Sequence, residues 1–194
     1  MNWMKKVAVA LVCLLPLGLQ AAKIDTLQVK SPSMNKSIEV VVVSPDVAAT
    51  KACPVIYLLH GYGGNACTWV GIKPDLPKIA DEKGIFFVCP DGKNTWYWDS
   101  PLNADVRYET FISNELVKYV DSHYKTVADR KGRAITGLSM GGHGAMWNGL
   151  RHSDVFSAAG STSGGVDIRP FPKNWEMTVQ IGEKAKYPEN WEKY

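Results

Sequence analysis

Short apolar runs alternate with amphipathic stretches along most of this chain. Residues 25–30 and 36–44 alternate or run apolar and predict a leading antiparallel pair. Residues 45–54, bounded by Pro45 and Pro54, connect that pair to Val55-Ile56-Tyr57-Leu58-Leu59, a continuously apolar run that predicts a fully buried strand. Residues 73–83 carry Leu76, Ile79 and Ala80 at helical spacing. Residues 85–89 predict the next strand, which stops at Pro90-Asp91-Gly92. The best helix signal covers residues 107–124, where Phe111, Ile112, Leu116, Tyr119, Val120 and Tyr124 share one face. Then come the short apolar run Ala134-Ile135-Thr136, a helical stretch over 143–150, and a further strand over 155–161. Strands alternating with helices at this spacing predict one α/β domain, with a mostly parallel sheet and helices on both faces.

The first 21 residues are a different object. Lys5-Lys6 forms a positive start, residues 7–19 are apolar, and Gln20-Ala21-Ala22 offers a small-residue cleavage site. The apolar run is too short for a stable membrane-spanning helix, and Val12 is large for the position before a lipid-modified Cys13. The reading is a secretory signal peptide over residues 1–21 and an exported domain over 22–194, periplasmic or extracellular. Cleavage removes Lys5 and Lys6, so the net charge of +3 falls to about +1. That excludes a strongly basic surface, and with it nucleic acid or an anionic membrane as the expected partner. Cys53, Cys67 and Cys89 remain. Cys89 ends an apolar strand and reads as a buried thiol, while a Cys53–Cys67 disulfide is an alternative to two free thiols. No cysteine or histidine spacing matches a zinc site.

The candidate chemistry sits at predicted strand ends. Gly137-Leu138-Ser139-Met140-Gly141-Gly142 lies between a strand and a helix, the layout of a nucleophile elbow. A serine hydroxyl is a weak nucleophile at neutral pH. It must be exposed, paired with a base and given donors for the oxyanion it creates. Upstream, Val55–Leu59 runs into His60-Gly61-Tyr62-Gly63-Gly64-Asn65, a glycine loop placed to supply one such donor. The two oxyanion donors are assigned to the backbone N–H groups of Tyr62 and Met140. His60 precedes the serine and is read as shaping that loop rather than as the base. Trp69, Asn94, Trp96 and Trp98 follow strand ends on the same side. The tryptophans either wall a cleft for an aromatic acyl group or a sugar ring, or pack under long loops, and Asn94 either hydrogen-bonds substrate hydroxyls or caps a turn. Glu109, at a predicted helix start, suits the helix dipole.

These motifs together resemble the esterase D branch of the α/β-hydrolases, which includes S-formylglutathione hydrolases, feruloyl and acetyl-xylan esterases and mycolyltransferase-like proteins. The resemblance rests on Tyr57–Gly64, Pro90-Asp91-Gly92 with Asn94-Thr95-Trp96-Tyr97, Tyr108-Glu109-Thr110-Phe111 and Gly137–Gly142, with Gly164–Phe171 in support. It implies an α/β-hydrolase fold, a serine carboxylesterase acting through an acyl-enzyme on Ser139, and no metal or cofactor. The implied partner is a small-molecule or polysaccharide ester; export favours feruloyl or acetyl esters of polysaccharides. Such enzymes place the catalytic acid and then the histidine after the serine in chain order. Here the only histidines after Ser139 are His143 and His152, on or just past the elbow helix, and Asp154 and Asp167 come early for the acid. The expectation is therefore a domain truncated at its C-terminus, lacking the final strands, with base and acid supplied from beyond Tyr194. The alternatives are a catalytically dead homologue that binds a glycan or ester, or an acyltransferase.

Overall fold

A computed structural model describes residues 22–194. The leader assigned to residues 1–21 lies outside the described residues. Six strands form one sheet in the order β1-β2-β4-β3-β5-β6. β1 (Lys23–Ser31) and β2 (Lys36–Ser44) pair antiparallel, with Lys23 opposite Ser44 and Ser31 opposite Lys36. β2 also runs antiparallel to β4 (Phe86–Pro90). β3 (Val55–Leu59), β4, β5 (Arg133–Gly137) and β6 (Ala158–Ala159) are mutually parallel.

The sheet is covered on both faces because its central strands are apolar in both directions. Successive side chains of a strand point to opposite faces, so Val40 and Val42 join one core cluster while Val41 and Val43 join the other. Tyr57 and Leu59 fall with the first pair and Leu58 with the second. The smaller cluster lies under α1 (Thr68–Ile72) and α2 (Leu76–Lys83), through Trp69, Val70, Leu76 and Ala80. The larger lies under α4 (Leu116–His123) and α5 (Met140–Arg151), through Leu116, Val120, Met140 and Ala145. α4 is continuous with α3 (Tyr108–Thr110) through a π-helical turn, Phe111–Glu115, so the single helix expected over 107–124 carries one wide turn.

Two expectations need correction. The helix expected from residue 73 starts at Leu76. The Leu76 amide closes a turn onto the Lys73 carbonyl, and Pro77 sits in the first helical turn where its missing N–H costs nothing. The strand expected over 155–161 shrinks to Ala158–Ala159. The Val155 and Phe156 amides both fold back onto the His152 carbonyl and are spent closing α5. Cys53 and Cys67 are not bonded: Cys53 is buried at a β-bridge to Thr126 and Cys67 is exposed beside α1. Cys89 is a buried free thiol, as expected. Two short helices near the chain end, α6 (Met177–Ile181) and α7 (Pro188–Lys193), had no periodic signal. Among the described residues no helix is long and apolar enough to cross a membrane.

Candidate active site

β5 delivers Ser139 to the end of the sheet. The Leu138 amide donates to the Leu59 carbonyl, and the Ser139 amide donates to the Thr162 carbonyl, so the turn is pinned from both neighbouring strand ends. Ser139 then takes φ 54 and ψ −117, a conformation that strains any residue with a Cβ. Such strain persists only where the surroundings enforce it. Here a Cβ on Gly137 would meet the Gly141 carbonyl oxygen at 2.2 Å, and one on Gly141 would meet the Leu59 oxygen at the same distance. The elbow closes only with glycine at both places. Ser139 ends exposed at the start of α5, and its hydroxyl has no hydrogen-bond partner among the described residues.

The glycine loop after β3 lies directly against this turn. A Cβ on Gly61 would stand 3.3 Å from the Leu138 oxygen and 3.5 Å from the Ser139 Cβ. Tyr62 is the next residue, and Tyr62, Ser139 and Met140 line one pocket. Met140 is the first residue of α5, where a helix leaves its amides without internal acceptors. Neither the Tyr62 nor the Met140 amide donates to a backbone carbonyl among the described residues. A network centred on His60 holds the loop. Its Nδ1 donates to the Gly61 carbonyl at 2.7 Å, its Nε2 accepts the Gly92 amide at 2.9 Å, and its own carbonyl accepts the Tyr97 hydroxyl at 3.0 Å. His60 is buried and fully occupied, which agrees with a loop-shaping role.

The pocket has a volume of about 340 Å³. One wall is Trp96. A second wall comes from residues 163–177: Gly164, Gly165, Ile168, Phe171, Trp175 and Met177, and it meets the first where the Trp96 Nε1 donates to the Trp175 carbonyl. Trp96 and Tyr97 both have left-handed backbones, φ 60 and 61, although they are bulky. Burial of both rings and the bond from Asn148 Nδ2 to the Tyr97 carbonyl keep them there.

Of the four residues expected in the cleft, only Trp96 lines it. Trp98 is fully buried and stacks behind Trp96 at 5.5 Å. Trp69 points to the other face of the sheet, where its Nε1 donates to the Leu59 carbonyl. Asn94 Oδ1 accepts the Gly63 amide at 2.8 Å, so it braces the glycine loop after β3. Sequence reasoning missed the 163–177 wall. Its aromatic residues follow no strand or helix period, and Gly164–Phe171 stood out only as a stretch supporting the family resemblance.

No histidine among the described residues bonds to Ser139. His143 is held by Trp98 and the Gly165 carbonyl, and burial moves its pKa below the ordinary histidine value. His152 bonds to Glu109 on the far side of α5. Asp167 touches the pocket, but Arg169 binds both its oxygens and holds its carboxyl below the usual range. Glu109 is not simply a helix-start charge. It is buried and accepts from Trp147, Arg151 and His152, which ties α3 to α5. Burial opposes its ionisation, but Arg151 and Trp147 outweigh that and lower its pKa. Among the described residues no cluster of His, Cys, Asp or Glu could hold a metal ion.

The family model for putative esterases matches residues 31–194, which include the glycine loop, the elbow and both pocket walls. The chain belongs to the putative esterase family. An esterase of Mycobacterium tuberculosis is 28% identical over 149 residues, covering 73% of this chain and 32% of the relative. An acetyl esterase of Caldicellulosiruptor saccharolyticus is 32% identical over 102 residues, covering 52% of this chain and 37% of the relative. Among solved structures, a ferulic acid esterase superposes with a TM-score of 0.69 at 30% identity, covering 86% of this chain and 70% of that one. The likeness agrees with the mixed, mostly parallel sheet and with the α/β-hydrolase fold expected from the motifs. This esterase-family chain spans about a third of the length of these two curated relatives.

Proposed function

We propose that this chain carries the nucleophile and oxyanion hole of an exported serine carboxylesterase. The observation that carries the reading is the exposed, strained Ser139 flanked by two amides without backbone acceptors, Tyr62 and Met140, at the mouth of an apolar pocket. In the first step Ser139 Oγ attacks the ester carbonyl. The two amides take up the charge on the tetrahedral oxygen, where preorganised donors are worth most. The alcohol leaves with the proton and an acyl-enzyme remains. Water then attacks the same carbonyl and releases the acid. The reaction needs a base, which this reading places outside residues 22–194. No metal or cofactor enters the scheme.

Feruloyl or acetyl esters of polysaccharides are the proposed substrates. The aromatic and sulfur-containing walls from Trp96, Phe171, Trp175 and Met177 suit a planar acyl group. The Lys5-Lys6 and apolar leader motivates the exported location. The test is hydrolysis of methyl ferulate and 4-nitrophenyl acetate by the full-length gene product and by its Ser139→Ala variant. Turnover by the first and none by the second supports the reading; equal rates defeat it. A second reading has its own observation: no histidine among the described residues reaches Ser139. It makes the protein a binder of glycans or esters without turnover, and saturable binding by an inert full-length product would favour it.

A further inference from the structure

His143 is a buried titratable group that the acyl-transfer scheme leaves unused. It sits one helical turn after Ser139 on α5 and is 4% exposed. Its Nδ1 is 2.6 Å from the Gly165 carbonyl oxygen, which can only accept, so Nδ1 carries a proton. The Trp98 indole N–H can only donate, and it lies 2.9 Å from Nε2, so Nε2 is bare. The ring is therefore the neutral Nδ1–H tautomer. Trp96 and Trp98 stand edge-on to it, each at 5.2 Å, and Trp147 stacks parallel at 6.3 Å. Gly165 belongs to one wall of the pocket. Trp98 backs Trp96, the other wall.

We propose that His143 is a positioning residue whose neutral imidazole fastens both walls of the pocket to the helix that carries Ser139. The proposal rests on the pocket being the substrate site. It adds that the pocket's shape is set by a hydrogen-bond relay running Trp98 to His143 to Gly165. Protonation would put a second donor at Nε2, facing the Trp98 N–H, and leave a cation inside an aromatic cage. The charged groups nearby do not compensate. Asp167 is bound by Arg169, Glu109 lies beyond Trp147 with Arg151, and Tyr194 offers a neutral phenol. Burial lowers the imidazole pKa, partly offset by the Gly165 carbonyl. A lowered pKa means that the clamp is present above the ordinary histidine range and fails as pH drops toward the folded-state value.

The test uses the full-length protein with Ser139→Ala, so that ligand is bound but not turned over. Methyl ferulate, which carries no carboxylate, is the probe, and tryptophan fluorescence is the readout. His143→Phe keeps the ring and removes both hydrogen bonds; its affinity should fall about tenfold. His143→Gln can donate to the Gly165 carbonyl and accept from Trp98, so it should recover most of that loss. Binding by the His143 parent should hold through neutral pH and weaken only below the ordinary histidine pKa of about 6.5, and His143→Gln should bind evenly over the same range. Nitrogen NMR of the imidazole in the parent reads the tautomer even if a variant fails to fold. An Nε2–H tautomer, equal affinities for His143→Phe and the parent, or no rescue by His143→Gln overturns the clamp. Failure of the parent to bind methyl ferulate, with the Nδ1–H tautomer present, overturns the substrate-pocket reading instead.

Discussion

Gly141→Ala is the perturbation that asks most of the elbow geometry. A Cβ there would lie 2.2 Å from the Leu59 oxygen, 2.5 Å from the Leu59 carbonyl carbon and 2.6 Å from the His60 oxygen. The first contact is about 1.3 Å inside the ~3.5 Å at which carbon contacts settle. All three atoms are backbone, held by the β3–β5 ladder and by the Tyr97 bond to His60, so no side chain can swing aside. Overpacking of this kind costs about 1–3 kcal/mol or more. For a domain of this size each kcal/mol lowers the melting temperature by roughly 2–4 °C, so a fall of about 2–12 °C is expected. Relief would come from sliding the start of α5 away from the glycine loop, which separates the Met140 amide from the Tyr62 amide. Displacement by about 1 Å at an oxyanion hole costs on the order of 100-fold in rate. The control is Gly71→Ala. Its Cβ would meet nothing within 4 Å and it lies on an exposed turn of α1, so stability should hold or rise slightly. Thermal unfolding and 4-nitrophenyl acetate turnover of the full-length product provide both numbers. A Gly141→Ala variant that melts with the parent and turns over at the parent rate would refute the reasoning.

Four further outcomes follow from the same structure. Glu109→Ala leaves the Trp147 indole N–H and Arg151 without their acceptor and should cost about 1–3 kcal/mol by denaturant melts. Because the Glu109 pKa is lowered on folding, its contribution is present above the ordinary glutamate pKa and is lost as pH falls through the folded value. The parent should therefore lose stability on acidification more steeply than Glu109→Gln, and parallel pH profiles would contradict this. Among Cys53, Cys67 and Cys89, a thiol reagent should label only exposed Cys67 in the native protein and all three after unfolding, since burial also raises the pKa of Cys53 and Cys89. Native labelling of Cys89, or a Cys53–Cys67 disulfide by peptide mapping, would count against the packing. Trp96→Ala should raise KM for methyl ferulate more than for 4-nitrophenyl acetate, because it removes a wall that a small acyl group does not touch; equal changes would remove Trp96 from the substrate site.

The central strands were legible because they are buried on both faces. A run such as Val55–Leu59 is continuously apolar, which surface segments rarely are. The elbow was legible because its glycines are demanded by backbone contacts rather than by taste, and Gly137 and Gly141 meet each other and β3. The pocket was only half legible. Trp96 and Trp98 are two residues apart after the same strand and look equivalent, yet across the left-handed turn at Trp96–Tyr97 one ring lines the pocket and the other stacks behind it. The wall from 163–177 has no period because it is a string of turns, each closed by local bonds such as the Phe171 amide to Ile168. His143 looked idle for the same reason. Its partners, Trp98 and Gly165, lie 45 and 22 residues away along the chain.

The central claim is that Ser139 is the nucleophile of an ester hydrolase, and the most direct measurement compares initial rates on methyl ferulate for the full-length native product and its Ser139→Ala variant. The account predicts measurable turnover by the first and a loss of at least about 1,000-fold in the second, with the thermal transition unchanged. Saturable methyl ferulate binding with no Ser139-dependent turnover would contradict it and leave a binding protein built on an esterase fold.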